Sequence, residues 1–123
     1  MEDLFGAIFD AIYNFFVPDC KLTMNIGCLL SSGQYDQCAA YIKVANKKKL
    51  RREFKYIIAH AKKPGDTRAM HRYKMMNELY ELVFKEKSRY YDEKFYRQCV
   101  ENEPENERDI HFYVKMLQPA FKG

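Results

Sequence analysis

Residues 48–62 read KKLRREFKYIIAHAK. Leu50, Phe54, Ile57, Ile58 and Ala61 fall on one side of a helix with 3.6 residues per turn. With Phe54 at the centre of that side, each residue turns the direction by about 100°. Lys49, Arg52, Tyr56, His60 and Lys63 then point the opposite way, flanked by Lys48 and Lys55. The segment reads as a helix with one buried face and one cationic face. Such a helix needs partners of the same kind to cover its apolar side.

The neighbouring segments supply them. Tyr35, Cys38, Ala39, Ile42 and Ala45 share a face of a helix over about 34–47, and Leu22, Ile26, Leu29 and Leu30 share one over about 20–31. Asp19 is the expected N-cap of the latter, and Ser31, Ser32 and Gly33 close it. Upstream, Asp3, Gly6, Asp10 and Asn14 form a narrow polar stripe on an otherwise apolar helix over 3–17, which Pro18 ends. Downstream, Pro64-Gly65 is a turn, and Asp66 or Thr67 caps a helix whose stripe is Ala69, Tyr73, Met76, Tyr80, Val83 and Phe84. That helix ends near 87, with Ser88 recapping another that holds Tyr91, Phe95 and Cys99. The alternative is a single helix running on to 99. Residues 101–109 are an acidic connection, and Pro104 suits the first turn of a last helix carrying Ile110, Tyr113, Val114 and Leu117. Pro119 stops that helix.

No segment alternates with period 2. The expectation is an all-α, compact single-domain helical bundle of six or seven helices spanning 1–123. The stretch from Gly33 through Gln34, Tyr35, Asp36, Gln37 and Cys38, with Tyr41, Ile42 and Ala45, resembles the second helix of a tetratricopeptide repeat. No second copy follows, so the resemblance implies close helix packing and carries no repeat stack or family function.

Composition bounds the class. The chain has 123 residues, 47% hydrophobic, too apolar for a disordered segment and long enough for one domain. Met1 leads into acidic residues, so no signal peptide is expected. The four cysteines, Cys20, Cys28, Cys38 and Cys99, are read as reduced thiols in a cytoplasmic protein. No Cys-x2-Cys pair exists and the three histidines lie far from the cysteines, so no metal and no cofactor is expected. No apolar run reaches the length of a membrane span.

Charge is the informative feature. The net charge of +4 conceals a block over residues 43–74 with twelve Lys and Arg against Glu53 and Asp66 alone. Residues 1–42 and 75–123 are both net acidic. A tyrosine and a histidine among outward cations suit a polyanion, with cations neutralising phosphates and a ring stacking on a base. Arg68 and Arg72 extend the patch. On the next helix, Met75, Leu79 and Leu82 lie opposite the Tyr73 stripe. They mark either a helix packed on both sides or an apolar partner surface. Nucleotide-binding glycine loops, zinc-protease spacing and nucleophile elbows are all missing from the sequence.

The reading is a small non-catalytic binding protein whose basic face engages nucleic acid or a nucleoprotein complex. One alternative is a protein–protein adaptor or inhibitor meeting an acidic partner, of the kind that phages and other mobile elements direct against host defence. The other is a homo-oligomeric structural protein built on the N-terminal helix.

Overall fold

A computed structural model describes residues 18–102 and 108–122, with side chains from 113 onward in the second stretch. Six α-helices follow one another: α1 (Lys21–Ser31), α2 (Tyr35–Val44), α3 (Lys47–Ala61), α4 (Thr67–Phe84), α5 (Glu93–Glu101) and α6 (Arg108–Leu117). A 3₁₀ turn, Gln118–Phe121, completes the chain. Among the described residues there is no strand, and the fold is an all-helical bundle. The expected helix over 3–17, most of the acidic connection, with Pro104, and the side chain of Ile110 lie outside the described residues.

The α3–α4 hairpin is the frame. Leu50, Phe54 and Ile58 of α3 and Tyr73, Met76 and Tyr80 of α4 are all buried where the two helices pack. The α1–α2 pair closes one side of this core, and α6 with the 3₁₀ turn closes another, with Leu117 fully buried. α5 packs on α4 through Phe95, whose ring meets Tyr73 edge-on at 4.8 Å.

Local sequence sets the helix ends. Asn46 caps α3 by accepting the Lys49 amide at 3.0 Å, and Asp66 caps α4 by accepting that of Ala69 at 3.1 Å. Asn46 also explains why α2 stops at Val44 rather than at 47: a cap residue is extended, so the preceding helix must already have ended. At the end of α1, Gly33 takes φ +75°. Its amide reaches the Leu30 carbonyl and that of Gln34 reaches Leu29, the paired bonds of a Schellman ending.

The start of α1 differs from expectation. Its cap position is Cys20, in the left-handed region at φ 57°, with no side-chain cap of its own. Asp19 instead accepts the Lys21 amide at 3.2 Å. The Thr23 amide is taken by Glu53 of α3, whose Oε1 accepts from both Thr23 N and Thr23 Oγ1 at 3.0 Å. A carboxylate from another helix therefore caps α1 and meets the positive end of its dipole. Glu53 is fully buried, and its Oε2 has no hydrogen-bond partner among the described residues.

α4 does not run on to 99. Lys85 is left-handed at φ 61° and ends it at Phe84. The next helix is capped by Asp92, which accepts the Phe95 amide, and not by Ser88. Ser88 is buried and donates to Asn77 Oδ1 at 2.9 Å, while Asn77 Nδ2 donates to the Tyr73 carbonyl at 2.8 Å. The side chain expected to start a helix thus fastens a connection to α4 instead. Tyr91 accordingly precedes α5 rather than lying within it.

The four cysteines are free thiols. Burial pushes the Cys38 thiol from its ordinary 9.0 up to about 11. Among the described residues, no helix is long and apolar enough to cross a membrane.

Two outcomes test this packing. Thr23→Val keeps the side-chain shape and removes one donor to a buried carboxylate. Stability should fall by about 1.5–3 kcal/mol, read from urea unfolding. The Cys38 shift has a sign. The native state holds this proton more tightly than the unfolded chain, so its contribution is complete below pH 9.0 and is lost as pH rises toward about 11. Urea midpoints should drop across that window, and less steeply in Cys38→Ala.

Candidate nucleic-acid interface

The cations of residues 43–74 divide into two sets. Five are turned to internal work. Lys43 lies 5.6 Å from the centre of the Phe121 ring, and Lys47 Nζ donates to the carbonyls of Lys43 and Ala45 at the end of α2. Arg51 sits over the Phe84 ring at 4.6 Å and pairs with Glu86 at 3.5 Å. Lys62 meets Asp92 at 2.8 Å, and the buried Lys74 meets Glu78 at 3.2 Å. By contrast, Lys48, Lys49, Lys55, Lys63, Arg68 and Arg72 have no acidic partner among the described residues. All six are exposed except Lys55, which is half-buried.

The structure brings Lys48, Arg52, Lys55, Tyr56 and His60 together along a groove of about 450 Å³. They recur along α3 at helical spacing over about 18 Å of its length. The Tyr56 and His60 rings lie 4.1 Å apart and tilted by 34°. His60 Nδ1–H donates to the Tyr56 carbonyl at 2.8 Å, because a carbonyl only accepts. Lys49 and Lys63 are exposed outside this groove, Lys63 beyond the end of α3. Arg72 lines an adjoining groove of about 350 Å³ that shares Tyr56 and His60. Arg68 is exposed in the first turn of α4 and lines neither groove.

Sequence reasoning missed the other side of the groove, which Pro18 and Tyr90 supply; Arg51 and Ala59 of α3 complete the lining. Tyr90 belongs to the connection 85–92, which runs back along α3 from the Arg51–Glu86 pair to the Lys62–Asp92 pair. Those pairs are largely exposed and contribute little each. Tyr73 does more. Its hydroxyl donates to the Tyr90 carbonyl at 2.9 Å and accepts the Asp92 amide at 2.8 Å. Burial pushes the Tyr73 phenol up, which keeps the donor in place. The Asp92 carboxyl is held below the usual range, first by its Lys62 hydrogen bond and then by the Phe95 amide. The available signal was a pair of adjacent tyrosines, Tyr90 and Tyr91, in a short polar turn that cannot bury both. Tyr91 packs on Tyr96 at 5.5 Å, and Tyr90 stays 43% exposed.

Of the two readings of Met75, Leu79 and Leu82, the structure has the helix packed on both sides: Leu79 is 2% exposed, inside the core. Met75 and Leu82 are half-buried and separated. Met75 lines the smaller groove with Cys20 and Met24, and Leu82 lies in a cleft beside Val114 of α6. The reason is that α4 is covered on several sides, by α3, α5 and α6.

Among the described residues, no group of three His, Cys, Asp or Glu side chains is placed to hold a metal ion. No family model, no curated protein and no solved structure matches the chain. The functional reading therefore rests on the site's own chemistry.

Tyr73→Phe tests how the groove's outer wall is held. It leaves a carbonyl and an amide without their partner. The expected loss is about 1–3 kcal/mol in urea unfolding, with faster hydrogen exchange at the Asp92 amide.

Proposed function

We propose that this chain is a small non-catalytic protein that binds nucleic acid, free or in a nucleoprotein complex, through the basic face of α3. One observation carries the reading. Within a single cationic block, five residues are consumed by internal contacts, while Lys48, Lys49, Lys55, Lys63, Arg68 and Arg72 meet no acidic partner among the described residues. Cations along α3 and the start of α4 raise the local concentration of polyanions and displace their counterions. Burial pushes the Cys20, Cys38 and Cys99 thiols toward the protonated form, which speaks against these three as nucleophiles.

A protein–protein adaptor or inhibitor is the second reading. The observation favouring it is the smaller groove, where Met24 is 65% exposed beside Cys20, Ile57 and Met75. Methionine surfaces of this kind adapt to protein partners.

The test is reversal of charge. Arg52→Glu, Lys55→Glu and Lys63→Glu together should abolish binding to RNA and DNA in electrophoretic-shift assays at low salt. Lys94→Glu with Lys115→Glu, on α5 and α6, should leave it intact. Wild-type affinity should fall steeply as salt rises from about 50 to 200 mM. Equal binding by the two multiple variants would refute the basic-face reading.

A further inference from the structure

Resting on that reading, we infer that the groove beside α3 takes single-stranded rather than duplex nucleic acid, with an unpaired base seated against Tyr90. The first ground is Tyr90 itself. The residue is 43% exposed, and no other ring packs on it among the described residues. Its backbone is nevertheless fixed, with its carbonyl bonded to Tyr73 at 2.9 Å and the Asp92 amide on the same hydroxyl at 2.8 Å. A large aromatic held in water on an anchored backbone is a prepared stacking platform, because little ordering remains to be done on binding.

The second ground is what surrounds the ring. The same groove holds the cations Lys48 and Lys55 and the stacked Tyr56–His60 pair. Its volume of about 450 Å³ falls in the range of sites for small ligands, the size class of one nucleotide. Aromatic faces between phosphate-binding cations are the two elements that single-strand sites combine.

The third ground is shape. A helix that reads duplex DNA must enter a major groove about 12 Å wide, which one helix fills. Here α3 is flanked by Pro18 and the connection bearing Tyr90, more than the single helix that fills such a groove. A flexible strand follows the groove between them, and its bases have open faces. Duplex bases are already stacked on each other.

The experiment is fluorescence anisotropy with labelled single-stranded U20 RNA and T20 DNA, and with the corresponding A·T and A·U duplexes, at 50 mM salt. The single strands should bind about tenfold or more tightly than the duplexes. Tyr90→Ala should weaken single-strand binding by about 5- to 100-fold and leave duplex binding unchanged. Tyr90→Phe keeps the ring and should bind like wild type. Since the residue is exposed, urea unfolding should show Tyr90→Ala as stable as wild type. Two results would overturn the single-strand inference while leaving the basic-face reading standing. One is duplex affinity equal to or above that for single strands. The other is an unaffected Tyr90→Ala, with the triple charge reversal still abolishing binding. No binding to any of the four probes would overturn both.

Discussion

A buried carboxylate organises this protein. Glu53 is fully buried, and its Oε1 accepts from the Thr23 amide and hydroxyl. Those two donors sit in the first turn of α1, a helix with no side-chain cap at its own cap residue. A buried polar group stripped of its hydrogen bonds is expensive, so α1 and α3 cannot slide or separate without a penalty. Apolar packing alone tolerates small shifts of register. This contact does not, because it asks for two named hydrogen bonds at once. It fixes how α1 and α3 face each other. The bulky apolar residues Leu50, Phe54 and Ile58 then point into the α3–α4 interface, and the cations are left on the outside.

A second polar arrangement works in the same way at the other edge of α4. Tyr73 and Asn77 hold the connection 85–92 through Tyr90, Asp92 and Ser88. Both residues are buried; the Ser88–Asn77 bond lies wholly inside, and the two bonds of the Tyr73 hydroxyl are partly buried. The exposed pairs Arg51–Glu86 and Lys62–Asp92 only add to them. Without this anchoring the cationic side of α3 would be an open helix surface. With it, the surface becomes a groove with an aromatic wall. Function, as proposed, depends on a connection that contributes almost nothing to the apolar core.

The charge block shows how local counting misleads. Twelve cations stand against two acids over residues 43–74. One of those acids, Glu53, neutralises nothing on the surface because it is inside. Five of the cations serve carbonyls, rings or carboxylates: Lys43, Arg51 and Lys62 reach Phe121, Glu86 and Asp92, distant in sequence, while Lys47 and Lys74 act within a few residues. The acids that meet the block, Glu78, Glu86 and Asp92, come from α4 and the connection.

The sequence by itself determined the helical class, the places of α1 to α6 within a few residues, and most of the core. The reason is periodicity. Leu50, Phe54 and Ile58, or Tyr73, Met76 and Tyr80, repeat with the helix, and one-dimensional spacing maps directly onto a face. It also determined which side of α3 is cationic, and so Lys48, Arg52, Lys55, Tyr56 and His60 of the groove. Only the tertiary structure decided three things: that Glu53 caps a different helix, that Leu79 is interior, and that Tyr90 stands opposite α3. Each depends on which elements lie side by side. Caps supplied from afar, helices covered on several sides and walls made by turns have no period. They arise from contacts between residues such as Thr23 and Glu53, or Tyr73 and Tyr90, that no local pattern joins.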